Sequence, residues 1–416
     1  MERYSSYKDS GVQWIGKVPS HWRIPSIGKI FEIKAGGDAK PQYYSFEQDE
    51  EHPYPVYTNT KDSNSVYAYT SKPLYDSGTI TVTGRGEIGR AIFRPVPYDA
   101  IIRLLSLRPK VKLVPKFYAF FIDTVIPFTS DSAAIGQLSA VQLKPKYVTF
   151  PPLAEQEKIV SYLEDKTSKI DAYVADKEKE IELLQELKQK TIADAVTKGL
   201  NPDAKMKVYS SLISSTCPEH WKIVRNKSFL SLTGEKVGKK ASEFVLLSLT
   251  TKGVIVRDIE SGKGKFPKDF DTYQIVKPNE LVFCLFDIDE TPRTVGLVET
   301  EGMLTGAYTA FKVHTELANP EYIYNYYLCV DNIKALKPYY SGLRKTVRAD
   351  KFQQIYMPLP PLDEQQAIVS YIEEKCEKID KLASELQSEI DYLKEYKQRL
   401  IADCVTGQVN VQNEMI

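Results

Sequence analysis

Residues that carry chemistry are sparse in this chain. It has four histidines and five cysteines among 416 residues. The histidines (His21, His52, His220, His314) form no H-E-x-x-H, and the cysteines (Cys217, Cys284, Cys329, Cys376, Cys404) form no C-x-x-C. Neither a metal site nor a disulfide framework is expected, and scattered thiols of odd number suit a reducing, cytoplasmic setting. No apolar run approaches the ~18 residues that would span a bilayer. The first ten residues are polar, unlike a secretory leader. A Walker A loop is missing, because Gly262-Lys263-Gly264-Lys265 lacks the spacing of a phosphate cradle. There is no nucleophile elbow and no N/D-P-P-Y/F tetrapeptide of an adenine methyltransferase. Nothing in the residue inventory supports catalysis.

Net charge is zero, with 55 basic and 55 acidic residues, but its distribution is uneven. Residues 1–150 carry +5 and 199–359 carry +4, whereas 151–198 carry −3 and 360–409 carry −5. Mildly basic blocks alternate with acidic segments. A mild basic excess suits nucleic-acid contact without proving it.

The dominant feature is an internal repeat. Residues from Pro151 read PPLAEQEKIVSYLEDKTSKIDAY, and residues from Pro360 read PPLDEQQAIVSYIEEKCEKIDKL. The offset is a constant 209 residues through the following Ala-Asp-x-Val-Thr. A shorter echo precedes each copy: Pro19-Ser20-His21-Trp22 and Pro218-Glu219-His220-Trp221. Solenoid repeats run about 20 to 50 residues, so this period means two domains of one plan.

Each copy reads as a long helix. The double prolines bar helix upstream, and Glu155, Asp363 and Glu364 place negative charge at the positive end of the dipole. In the second helix Ile372, Ile379, Leu386, Leu393 and Leu400 recur every seven residues, with Val369, Cys376, Ala383, Ile390 and Cys404 in the companion row. The first keeps Leu163, Ile170 and Leu184 in one row and Val160, Val174, Ile181 and Ala195 in the other, interrupted at Lys177 and Thr191. Both seams carry a lysine at the equivalent position, Lys188 and Lys397. Sustained heptads with charged flanks predict a coiled coil, a rod on the order of 60 Å; two related stripes pair most economically with each other, antiparallel, the alternative being that each pairs with another protein or a second copy of this chain. Ile159, Tyr162, Leu183, Leu187 and Ile192 lie off the seam, as do Ile368, Tyr371, Tyr392, Tyr396 and Ile401. They either pack on the globular blocks or form a docking strip for a partner.

The blocks are rich in β-branched and aromatic residues. Strands are expected at 54–60, 66–70, 79–83 and 91–94, then at 244–249, 253–257, 280–286 and 308–313. Helices are expected near 115–126 and 320–330. The fold class is α+β twice over, a pseudo-twofold repeat with a helical spacer. The expected boundaries are 1–150, 151–199, 200–359, 360–409 and a tail, 410–416.

Gly84-Arg85-Gly86-Glu87-Ile88-Gly89 matches a dinucleotide fingerprint, but residues 91–94 read as strand where a helix is required. It is read as a turn carrying Arg85, Arg90 and Arg94. The loop Tyr340 to Arg348 is the most basic short stretch, with Arg344, Lys345 and Arg348. Arginine on a tight loop can reach phosphates or guanine edges. Lys61 and Lys252 complete the DNA-contact candidates. No catalytic or metal residue is assigned, and His21 and His220 are expected to serve packing at the start of each block.

The motifs Pro151-Pro152-Leu153-Ala154-Glu155-Gln156 and Pro360-Pro361-Leu362-Asp363-Glu364-Gln365 resemble the openings of the two conserved helices in specificity subunits of type I restriction–modification systems. Tyr7-Lys8-Asp9-Ser10-Gly11, Trp14-Ile15-Gly16 and Pro19-Ser20-His21-Trp22 are similar to that family's amino-terminal signature, and Leu247-Ser248-Leu249-Thr250 with Gly253-Val254 to a stretch of its recognition domains. The resemblance implies two target recognition domains, each reading half of an interrupted, asymmetric duplex site, on an antiparallel coiled coil. It implies partners: double-stranded DNA, two modification subunits, and restriction (motor–nuclease) subunits. S-adenosylmethionine, ATP and magnesium would then act on those partners, with no cofactor in this non-catalytic chain. A coiled-coil scaffold that binds proteins rather than DNA is the competing reading.

Overall fold

The computed structural model describes residues 2–60, 65–128, 137–257, 270–413. The chain forms two compact units, residues 1–178 with 387–416, and residues 179–386. The long helices span Leu153–Lys198 and Leu362–Thr406, and each contributes one part to each unit.

In the first unit a four-stranded antiparallel sheet has the order Phe31–Ala35, Leu105–Pro109, Thr79–Val82, Ala91–Arg94. In the second, the order is Leu230–Leu232, Thr309–Val313, Glu280–Phe283, Val295–Leu297. The two sheets share one topology. A helix follows the last-threaded strand in each, Pro115–Thr124 and Pro320–Asn332, both opened by proline at the first turn. The strands Phe31–Ala35 and Leu230–Leu232 escape the sequence reading because each is short and half-exposed. Away from these sheets the units differ. The first adds a second four-stranded sheet around Tyr54–Tyr57, and the second adds two separate hairpin-like pairs.

Each unit has its own core. In the first, Trp22, Phe31, Phe117, Tyr118 and Phe121 pack with Ile159 and Leu163 from one long helix and Leu400, Ile401 and Cys404 from the other. In the second, Trp221, Phe283, Phe311, Tyr322, Tyr326, Tyr327 and Phe352 enclose Ile192 and Val196 with Ile368 and Ile372. Burying one such side chain contributes ~1.5–3 kcal/mol, so the helix ends are held chiefly by the blocks.

The helix segments run antiparallel within each unit. Lys397 Nζ bonds both oxygens of Asp171 at 2.6 Å in the first unit. Lys188 Nζ bonds both oxygens of Asp380 at 2.7 Å in the second. Adding 209 to the first-helix member of either pair gives the second-helix member of the other. The predicted seam is buried or half-buried throughout, including Leu163, Ile170, Leu184, Ile372, Ile379, Leu386, Leu393 and Leu400. The break at Lys177 is closed by Glu389 at 3.2 Å, and Thr191 satisfies its hydroxyl on Leu187 O of its own helix at 2.8 Å.

Candidate nucleic-acid interface

The P-P-L-x-E-Q motif is a lock that joins block to helix. Glu155 accepts the Trp22 indole N–H at 3.0 Å and meets His21 Nε2 at 2.7 Å. Glu364 accepts the Trp221 indole at 3.1 Å and meets His220 at 2.7 Å. Both histidines are about half exposed, at 48% and 52%, so their expected packing role is corrected. The carboxylate at the helix N-terminus holds the imidazole at the surface while the tryptophan alone fills the core. The motif's glutamine is fully buried. Gln156 donates to Pro151 O at 2.8 Å and accepts from Val114 N at 2.9 Å. Gln365 donates to Pro360 O at 2.9 Å and accepts from Asn319 N at 2.8 Å. Each glutamine thus pins the start of the block's own helix to the start of the long one. The far end of each long helix is stopped by glycine at positive φ, Gly199 at 73° and Gly407 at 77°. A Cβ on Gly407 would lie 2.4 Å from Pro19 and 3.0 Å from Trp22.

The locks hold a pair of loops in the same place in each unit. The first loop joins the sheet's two last-ordered strands, and the second precedes the short helix, Ala140–Leu143 or Ala349–Gln354, that comes before the long one. In the first unit Leu138 N donates to Gly84 O at 2.7 Å, and in the second Val347 N donates to Leu285 O at 2.8 Å. Gly84–Gly89 is a turn between strands, with Gly86 and Gly89 at φ 71° and 92°, and it opens no helix. Arg85 is exposed on it and donates to Gln137 Oε1 at 2.9 Å through Nη2. Asn59 ties this turn to a third loop, accepting from Gly84 N at 2.7 Å and donating to Ile102 O at 2.7 Å. That loop holds Ile102 and Arg103 at φ 54° and 63°, and Arg103 is exposed. The sequence reading missed Arg103, although an arginine that follows Ile101-Ile102 in a strand-rich block was available as a signal.

Two candidates are engaged within the fold. Arg94 is 5% exposed, with its guanidinium 3.5 Å over the Tyr57 ring and Nε donating to Thr81 Oγ1 at 3.0 Å. Burial pushes its pKa down, and it is withdrawn from the surface set. Its alternating strand position points it into the sheet's packed face. Arg90 pairs with Asp123 at 2.9 Å, and the same carboxylate accepts from Ala91 N at 3.0 Å. Burial raises the Asp123 pKa, opposed by the Ala91 N–H and then by Arg90. Arg293, Thr294 and Asp331 repeat this arrangement in the second unit, Thr294 N reaching Asp331 Oδ2 at 2.9 Å. Arg90 therefore ties strand to helix.

In the second unit the loop pair carries different side chains, with acids on the strand turn and bases on the pre-helix loop. Arg344 meets Asp287 at 2.8 Å, and Lys345 meets Asp289 at 3.1 Å and Glu290 at 3.2 Å. Arg348 engages its neighbour Asp350 at 3.1 Å. The loop is basic in sequence but close to neutral in space. Lys252 is exposed on the turn between Leu247–Thr250 and Gly253–Val256. Lys61 lies outside the described residues, as does Gly262 to Lys265.

Among the described residues no group of His, Cys, Asp and Glu could hold a metal ion, and no helix is long and apolar enough to cross a membrane. The off-seam apolar residues divide. Ile159, Tyr162, Ile192, Ile368 and Ile401 are buried and Tyr371 half-buried, while Leu183, Leu187, Tyr392 and Tyr396 are exposed. Leu382 and Tyr173 are exposed as well. Leu183, Leu187 and Tyr173 become Tyr392, Tyr396 and Leu382 on adding 209.

A solved chain from work on complex assembly and conformational transition of the type I R-M system shares this fold, with TM-score 0.66 at 13% identity over 94% of this chain and 99% of that one. The type I restriction enzyme MjaVIII specificity subunit of Methanocaldococcus jannaschii is 22% identical over 422 residues, 95% of each chain. A Mycoplasma pneumoniae protein described as a candidate type I specificity subunit is 28% identical over 138 residues, 33% of this chain and 41% of that protein. The chain spans about two-fifths of the length of the first curated relatives it matches. The family described as the type I restriction modification DNA specificity domain matches residues 19–183 and 299–392, more than half the sequence, and this chain belongs to that family.

Proposed function

We propose that this chain is the DNA-recognition subunit of a type I restriction–modification complex. Each block reads one half of an interrupted, asymmetric duplex site, and the long helices set the separation of the halves. Modification subunits dock on the helices and restriction subunits join that assembly. S-adenosylmethionine, ATP and magnesium serve those partners, and this chain contributes recognition without catalysis, as a cytoplasmic protein.

One observation carries the reading. The same loop pair, tied by the same backbone bond, recurs in both units with different side chains. Arg85 and Gln137 bridge the two loops in the first unit, and Asp287 and Arg344 bridge them in the second. A repeated frame with unlike reading edges suits two different half-sites, because base edges demand specific donors and acceptors. The exposed apolar sets support docking. In the second unit Leu187 adjoins Lys188, and Leu382 lies two residues from Asp380, at one level of the helix pair. In the first, Tyr396 and Tyr173 stand in the same relation to Lys397 and Asp171. Heptad order puts Tyr396 and Tyr173 on the flank opposite the Lys394–Glu178 ion pair.

The test is genome-wide adenine-methylation mapping in cells expressing this chain with a modification subunit, against cells lacking only this chain. A new interrupted motif with two different halves at fixed spacing is the expected result. An unchanged methylome from a soluble assembled complex, or a palindromic motif, would refute the reading.

A further inference from the structure

The basic loop of the second unit is built as a base-reading tip and is poorly suited to gripping phosphate. Ser341 and Thr346 close it by two backbone bonds, 2.9 and 3.0 Å, leaving a four-residue tip, Gly342 to Lys345. Gly342 and Lys345 turn the chain at φ 69° and 44°. The tip is tied to the strand turn, Asp287 N donating to Arg344 O at 2.9 Å, with Asp287 itself at φ 46°. Two non-glycine residues in the left-handed region are strained positions that the surrounding bonds must hold.

Within this frame the Arg344 guanidinium lies 5.1 Å over the Phe286 ring, and its Nη2 meets Asp287 Oδ2 at 2.8 Å. The ring sets its plane and the carboxylate sets its rotation. Among the described residues no other side chain engages it, and 71% of the side chain stays exposed. Beside it Leu343 is fully exposed at the apex.

A phosphate clamp would concentrate positive charge. Here Asp287, Asp289 and Glu290 stand against Arg344 and Lys345, so the local field offers the DNA backbone little attraction. An oriented fork with free donors is instead suited to the two acceptors on a guanine's major-groove edge, and an exposed leucine gains from a thymine methyl or an unstacked base step while gaining nothing from phosphate. Resting on the recognition role above, we propose that Arg344, positioned by Phe286 and Asp287, reads a guanine edge within the half-site of the second unit, with Leu343 on the adjoining base. Asp287 is then a positioning residue that touches no DNA.

The experiment selects from a randomised duplex library with the full chain assembled with its modification subunit, and repeats the binding across salt concentrations. Arg344→Lys keeps the charge and loses the fork. It is expected to lose preference at one base pair by roughly 10- to 100-fold, with other positions and the salt slope unchanged. Asp287→Asn keeps the arginine and is expected to weaken preference at that same position. Arg344 is exposed and Asp287 half-buried, each on its own loop, and unchanged thermal unfolding verifies the fold. Two results overturn the assignment: Arg344→Lys retaining every base preference, or Arg344→Ala weakening all sequences equally while the salt slope falls by about one contact. A wild-type complex that selects no sequence would remove the recognition role itself, and this assignment with it.

Discussion

Gln365→Leu should destabilise the second unit more than any other single change in the P-P-L-x-E-Q motif. The substitution roughly preserves volume, so no large cavity forms. What it removes is the donor to Pro360 O and the acceptor for Asn319 N, together with a longer bond of 3.3 Å to Leu317 O. Gln365 is fully buried, and a buried group left without a partner costs about 1–3 kcal/mol. Two orphaned groups give about 2–6 kcal/mol, and the added leucine surface returns ~1–2 kcal/mol. Taken at the middle of both ranges the net is about 2.5 kcal/mol, and a unit near 200 residues shifts its Tm by about 2–4 °C per kcal/mol. Differential scanning calorimetry of the full chain, with urea unfolding beside it, measures both quantities. A change below about 0.5 kcal/mol, the level of an unremarkable surface substitution, would refute the idea that the glutamine pins the two helix starts.

Other consequences are tested more simply. Lys188→Glu faces Asp380 with like charge, and adding Asp380→Lys should restore stability, with a coupling of about 0.2–1 kcal/mol in a double-mutant cycle. A cycle with zero coupling would mean that this contact contributes nothing to helix pairing. Leu183→Lys with Leu187→Lys, or Tyr392→Lys with Tyr396→Lys, should leave circular dichroism and Tm unchanged, because the residues are exposed. Each pair should nevertheless reduce co-purification with a modification subunit, and full recovery of the complex would place docking elsewhere. Burial pushes the Cys329 and Cys404 thiols up to about 12, so at pH 8 both should resist iodoacetamide in the folded chain and react only on unfolding. Rapid native labelling at Cys404 would mean that the end of the second helix is not seated in its core.

The long helices and the duplicated plan could be read without coordinates, because spacing summed over about six heptads outweighs local exceptions such as Lys177 and Thr191. Lys188 and Lys397 stood out as an equivalent pair, yet their partners Asp380 and Asp171 lie 192 and 226 residues away. No local pattern names a partner at that distance. The cations divide for the same reason. Arg85, Arg90 and Arg94 are spaced alike on one turn and strand, but one is exposed, one is tied to Asp123, and one is buried against Tyr57. The basic loop looked free because its counter-charges, Asp287 to Glu290, lie more than 50 residues upstream.

Periodicity and repetition, which depend on residues near one another in the chain, settled by sequence alone that there are two similar blocks and two long helices. Tertiary structure decided how the glutamate, glutamine and tryptophan of each motif interlock, and which arginines reach the surface. It also decided that equivalent loops carry different chemistry. Those outcomes depend on burial and on pairing across the fold, where desolvation and hydrogen-bond geometry determine whether a charge serves the structure or stays available to a ligand.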